Sequence, residues 1–294
     1  MISYPYFPGC ALSTKAKSLD RCAREALKLL GYELVELENW TCCGAVFPLC
    51  DDEHIRLVSP VRALFQASKT SDRLVALCSA CFNVLRRTEK LFRENKERRE
   101  RVLNYMDEEV PEQFTDNVKV IHFIDILADE LTFPVLKERV KKPLRDLKIA
   151  PFYDCLTFRP PKEMNYDDPE NPRIFSNYLT ALGATPVDFP YRSECCGAHL
   201  AVSDRDASLE CSYKILKSAY EAGAEAMLTA CPLCHYNLDS RQMEMVEKFP
   251  GFKPLPVFYL TQPLGVALEL SNELLGFDKN KISPLPLLKE KGLI

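Results

Sequence analysis

Apolar positions along the chain switch repeatedly between two periods. Short apolar or alternating runs predict strands at Ile2–Phe7, 33–37, 72–77 and 118–123, and again at 148–153, 185–189, 224–229 and 256–260. Between them, apolar residues three and four apart predict helices over 14–30, up to about Ser68, 78–92 and 124–131, then over 171–182, 204–222, from Cys231 to about Phe249, and after Leu260. Leu74-Val75-Ala76-Leu77 is continuously apolar, as in a strand buried on both faces, whereas 33–37 alternates like a half-exposed one. Gly31 and Gly183 stop the first helix of each series, and Asp51-Asp52 reads as a helix cap. The charged run 93–101 reads as a solvated helical face. The basic stretch 137–148, with Lys141-Lys142-Pro143, reads as a link, and the residues after Phe277 as an irregular tail.

The order of elements occurs twice. This predicts an α/β protein of two pseudo-twofold-related repeats, 1–145 and 146–294, each a mainly parallel sheet flanked by helices. A unit of roughly 145 residues is too long for a solenoid repeat and suits a duplicated domain. Ligands in such folds bind outside the carboxyl ends of the strands.

Cysteine spacing repeats with the elements. Cys10 is followed after 31 residues by Cys42-Cys43-Gly44, and after 34 more by Cys78-x-x-Cys81. Cys155 is followed after 39 residues by Cys195-Cys196-Gly197, and after 34 more by Cys231-x-x-Cys234. Ten of the thirteen cysteines fall in this scheme, and the odd total speaks against complete internal disulfide pairing. Thiolates are soft ligands for iron–sulfur clusters, zinc or cuprous copper. A Cys-x-x-Cys alone is common to zinc ribbons and redox dithiols. An adjacent pair is awkward around one tetrahedral zinc but reaches different irons of a cluster, and five thiols exceed the four that zinc or a cubane takes.

The remaining composition narrows the reading further. The chain is 47% hydrophobic and 27% charged, with net charge -4, which gives no case for nucleic acid or an anionic membrane. No run approaches 18 apolar residues, and the opening lacks the n- and h-regions of a signal peptide, so no transmembrane segment and a cytoplasmic location are expected.

Both copies resemble the CCG cysteine-rich domain, and the whole chain resembles HdrB, the disulfide-cleaving component of heterodisulfide reductase. The likeness is carried by Pro8-Gly9-Cys10, Trp40-Thr41-Cys42-Cys43-Gly44, Arg159-Pro160-Pro161, Asp168-Pro169-Glu170-Asn171-Pro172, Ser193-Glu194-Cys195-Cys196-Gly197 and Ala230-Cys231-Pro232-Leu233-Cys234. The resemblance implies two non-cubane 4Fe-4S clusters, one on Cys10, Cys42, Cys43, Cys78 and Cys81, the other on Cys155, Cys195, Cys196, Cys231 and Cys234. It implies reduction of a disulfide, of the coenzyme M–coenzyme B type or an analogue, between the two clusters. It also implies an HdrC-like ferredoxin partner and an HdrA-like flavoprotein partner. An electron-transfer component of a glycolate, lactate or succinate-oxidising complex is the competing reading, and a zinc-stabilised binding module a third. Against the second stands the absence of any C-x-x-C-x-x-C-x-x-x-C-P run.

Several single residues enter as candidates. His199 and His235 follow second-copy cysteines and are expected as proton donors to a leaving thiolate. Cys22 and Cys211 read as buried free thiols, and Cys50 as a thiol near the first pair. His122 reads as packing and His54 as a helix surface residue. Arg159 and Lys162 are candidates for attracting an anionic substrate.

Overall fold

The computed structural model describes residues 1–45, 54–106, 110, 114 and 118–294. Cys50 and the Asp51-Asp52 cap lie outside the described residues. Among the described residues, eight strands form two four-stranded sheets: β1 Ile2–Phe7, β2 Tyr32–Glu36, β3 Arg73–Ala76 and β4 Lys119–His122, then β5 Lys148–Pro151, β6 Thr185–Pro186, β7 Ala226–Thr229 and β8 Val257–Tyr259. The orders are β2-β1-β3-β4 and β6-β5-β7-β8, and every pairing is parallel. The duplicated α/β architecture read from the sequence is therefore the observed one.

The apolar pattern explains which strand sits where. Leu74, Val75 and Ala76 are fully buried in the interior strand β3. The edge strand β2 buries Tyr32 and Leu34 and exposes the alternate residues. The second sheet divides its residues by face: Ile149, Ala226, Leu228 and Phe258 join a core shared with the first half, while Ala150, Met227 and Val257 join a smaller core of their own. The two halves are thus fused through one apolar interior. Each fully buried Leu or Phe there contributes about 1.5–3 kcal/mol.

Six helices matter for the sites: α1 Lys17–Leu29, α2 Ile55–Ser68, α3 Ser79–Glu94, α4 Ile174–Ala181, α5 Arg205–Glu221 and α6 Thr261–Ala267. α1 packs on α6 across the halves, with Cys22 Sγ 3.1 Å from the Thr261 carbonyl and the Thr261 hydroxyl bonded to the Leu19 carbonyl. Gly265 permits this approach, since a Cβ there would lie 2.7 Å from Cys22 Sγ. The charged run behaves as a solvated face: α3 ends at Glu94, Asn95 caps a separate helix Lys96–Leu103, and Lys96–Glu100 and Glu97–Arg101 pair along it.

Four expectations are corrected. The predicted link is packed structure: Phe133–Arg139 is helical, Leu136 and Leu144 are buried, and the Lys141 and Lys142 amides both donate to the Ala267 carbonyl at 3.0 Å. The predicted tail folds back as well, with a helix at Leu285–Glu290 and with Leu288, Leu293 and Asn280 buried. Helices expected over 124–131 and from Cys231 to Phe249 are interrupted by wider π turns at Ile126–Glu130 and Tyr236–Ser240, where buried Asp239 turns outward from the ladder to accept the amides of Lys281 and Ile282. The strand at 185–189 ends after two residues.

Candidate redox thiol site

The topology places the cysteines. In each sheet the chain leaves the first strand, visits the edge, and returns on the other side, so the carboxyl ends of β1 and β3, and of β5 and β7, flank a switch point. Cys10 follows β1 and Cys78 follows β3; Cys155 follows β5 and Cys231 follows β7. The adjacent pairs arrive from the loops after β2 and β6.

Within the first half the sulfurs form a chain. Cys42 Sγ is 3.9 Å from Cys10 Sγ, Cys43 Sγ is 3.4 Å from Cys81 Sγ, and Cys78 is in hydrogen-bond reach of Cys81. The second half repeats this: Cys155 meets Cys195, Cys196 Sγ is 3.2 Å from Cys234 Sγ, and Cys231 meets Cys234. The Gly44 and Gly197 amides donate to Cys42 and Cys195 Sγ at 3.5 and 3.4 Å. Both glycines have φ near +75°, the left-handed region that aims these N–H groups at sulfur. The two chains of sulfurs approach at the junction of the halves, where Cys78 and Cys231 shift each other's ionisation.

Crowded thiols cannot all ionise together. Hydrogen bonds from Cys231 and Cys81 hold Cys78 well below the usual thiol range, while Cys43 and Cys78 push Cys81 well above it. Cys155 lowers Cys195 to about 5 and is itself raised by the same contact. Ten sulfurs in this arrangement need cationic centres among them before all can be thiolates. Among the described residues, no three His, Cys, Asp or Glu side chains are grouped to hold a single metal ion.

The other candidates fall at different distances from the sulfurs. His199 is exposed in the turn Ala198–Leu200, its Nδ1 3.8 Å from Cys195 Sγ. His235 is buried; its Nε2 lies 3.0 Å from the Val257 carbonyl and its ring stacks on Tyr259 at 3.7 Å, and burial pulls it down to about 4. His122 is packed, as expected, and His54 is half-buried at the head of α2. Cys22 is fully buried. Cys211 departs from expectation: it is half-exposed, and a Cβ on Gly197 would lie 3.2 Å from its Cβ, so it borders the second site. Arg159 is also reassigned. Its guanidinium donates to the Ser193 carbonyl at 2.8 Å and to Glu170 at 3.1 Å, bracing the loop of the second pair rather than waiting for an anion.

A cavity of about 440 Å³ opens beside Cys43, Gly44 and Ala80, and reaches Leu156 next to Cys155. Its walls carry Arg56, Arg87, Lys90, Arg98 and Lys162 against Glu94 and Glu163. Sequence reasoning singled out only Lys162 of these. The other four cations belong to three different helices, and no local pattern announces their convergence.

The model of the CCG cysteine-rich domain matches residues 4–86 and again 149–239. The chain belongs to the CCG cysteine-rich domain family. Within it, the chain is similar to the 8-methylmenaquinol:fumarate reductase membrane anchor subunit of Wolinella succinogenes, at 31% identity over 97% of this chain and 98% of that protein. It is similar to the B-type subunit of ferredoxin:CoB-CoM heterodisulfide reductase from Methanosarcina mazei, at 29% identity over 96% of this chain and 94% of that one. Among solved structures, a hypothetical protein from Helicobacter pylori shares the fold with a TM-score of 0.72 at 13% identity, over 95% of this chain and 51% of that longer chain. Among the described residues of this CCG protein, no helix is long and apolar enough to cross a membrane.

Proposed function

We propose that this chain is the catalytic iron–sulfur subunit of a heterodisulfide reductase-type complex, reducing a disulfide to two thiols. The observation that supports the reading is the bond between Ser79, inside the Cys78-x-x-Cys81 turn, and Asp154, directly before Cys155, which sets cysteine segments of the two halves side by side. The donor set fits iron–sulfur clusters: five crowded thiols per half whose charges need several cations. Cys10, Cys42, Cys43, Cys78 and Cys81 would hold one non-cubane 4Fe-4S cluster, and Cys155, Cys195, Cys196, Cys231 and Cys234 the other. When bound, the clusters supply electrons and Lewis-acidic iron for sulfur.

The chain's own residues do the rest. The halves, 1–145 and 146–294, fix the spacing of the two sites through their shared core. The cations of the cavity beside Cys43 orient an anionic disulfide. His199, exposed beside Cys195, delivers one of the two protons that accompany two electrons into the disulfide. His235 is tied to the Val257 carbonyl and holds its turn in place. Electrons arrive from an HdrC-like ferredoxin partner, fed by an HdrA-like flavoprotein, in the cytoplasm, where thiols stay reduced.

The relative from Wolinella succinogenes favours a second reading, an electron-relaying component of a quinol:fumarate reductase-type complex with no substrate of its own. One experiment separates them. The anaerobically purified complex should contain iron and acid-labile sulfide at both sites, and anionic disulfides should perturb the EPR signals of the reduced protein. Signals indifferent to every disulfide tried would leave the relay; zinc without sulfide would remove both readings.

A further inference from the structure

Asp154, directly before Cys155, is 1% exposed. Its partners are hydroxyls: Ser79 Oγ donates at 2.5 and 3.0 Å to its two oxygens, and Thr157 Oγ1 at 3.2 Å. Burying a carboxyl with no cationic partner among the described residues is costly, and an apolar side chain of its size would stabilise the fold more. Its place indicates what it does instead. Ser79 lies inside Cys78-Ser79-Ala80-Cys81, so the contact joins the Cys-x-x-Cys turn of one half to the first cysteine of the other. One turn further along α3, Asn83 Nδ2 donates across the same boundary to the Leu156 and Arg159 carbonyls at 2.8 and 2.7 Å.

The pseudo-twofold axis supplies no second copy of this link. The counterpart of Asp154 is Gly9, where a Cβ would come within 2.6 Å of Cys81 Sγ, so that position excludes a side chain. The counterpart of Ser79 is Pro232, which has neither hydroxyl nor N–H. The duplicated architecture therefore carries this fastening on one side of its pseudo-twofold and not on the other, between the Cys-x-x-Cys turn of the first half and the segment that opens at Cys155.

We propose that Asp154 is a positioning residue that, acting through Ser79, sets how the two thiol sites face each other. The inference rests on the reading that both sites hold clusters. The link fixes distance and orientation between the sites.

The test compares Ser79→Ala, Asp154→Ala and Asp154→Asn with the parent in the full anaerobic complex. Iron and sulfide content are read first, then the magnetic interaction between the two reduced sites by EPR, then disulfide turnover. A parent without iron or sulfide defeats the cluster reading and not the fastening. With clusters present, Ser79→Ala and Asp154→Ala should each change the inter-site interaction, and the double variant should change it no further. Turnover should fall about 10²-fold in each, the order expected for a misplacement of about 1 Å. Asp154→Asn, whose amide oxygen still accepts from Ser79, should restore the interaction and most of the turnover. An unchanged inter-site interaction in Ser79→Ala at full iron content overturns the proposal, as does an Asn variant that behaves like the Ala variant. A purely stabilising role predicts lower melting temperatures with unaltered spectra, which also overturns it.

Discussion

Behind each Cys-x-x-Cys turn sits a pair of rings, and the two halves fill it in opposite order. In the first half Phe82 follows Cys81 and meets His122 at the end of β4, with centroids 5.3 Å apart. In the second His235 follows Cys234 and stacks on Tyr259 at the end of β8. Both imidazoles lie with Nε2 3.0 Å from a backbone carbonyl, Leu77 in one half and Val257 in the other. Each half thus keeps one buried, neutral imidazole that ties the turn to the sheet, and the element supplying it is exchangeable. The halves also differ at the glycine after the cysteine pair. Gly197 is walled in by α5, whereas a Cβ on Gly44 meets nothing within 4 Å among the described residues.

The sharpest way to break the comparison is to disable one site at a time. Cys43→Ala and Cys196→Ala should each remove about half of the iron and sulfide, that of the altered half alone, because the folded scaffold and the metal site are linked locally. Loss of all iron from either variant would mean that the halves load as one unit.

Next in size is the acid limb of stability. Burial holds His122 down to about 4 from 6.5, so as pH falls the unfolded chain takes up the proton first. The stability carried by the neutral ring is present above pH 6.5 and lost as pH drops towards 4, about 3 kcal/mol in all. Asp125, raised by burial to about 6, acts in the opposite sense: its contribution is full below its unfolded value of 3.8 and lost as pH rises through 6. The readout is therefore the difference between parent and His122→Gln in denaturant melts from pH 4 to 7. The variant should lose about 3 kcal/mol less on acidification. Parallel curves would show that this imidazole is not held neutral.

The smallest effect concerns the paired glycines. Alanine at either position meets the left-handed backbone cost of about 1–2 kcal/mol. At Gly197 its Cβ would also lie 3.0 Å from the Ser208 Cα, adding about 1–3 kcal/mol of overpacking. Gly197→Ala should therefore melt several degrees below Gly44→Ala. Equal melting temperatures would erase this contrast between the halves.

Much of this is legible in the amino-acid order alone. The apolar runs at β1, β3, β5 and β7 mark interior strands because parallel sheets bury both faces, and the cysteine spacing follows the element order. Local periodicity fails where tertiary contacts decide. The π turn at Tyr236–Ser240 exists because Asp239 must meet amides 42 and 43 residues away. The basic link and the final helix are held by contacts with α6 and the second half, which no window of ten residues contains. Arg159 reads as free because its acceptors lie 11 and 34 residues further on. The Ser79–Asp154 contact leaves no trace, since neither residue stands out in its own neighbourhood.

The seating of α1 against α6 bears on how the protein is made. Cys22 and Thr261 are separated by 239 positions, and the cover they share is made long after α1 itself. While those residues are still unmade, α1 has no cover on that side, although β1 to β4 are already complete. The first half therefore finishes only once the second has been made, and its maturation depends on a segment 239 positions downstream.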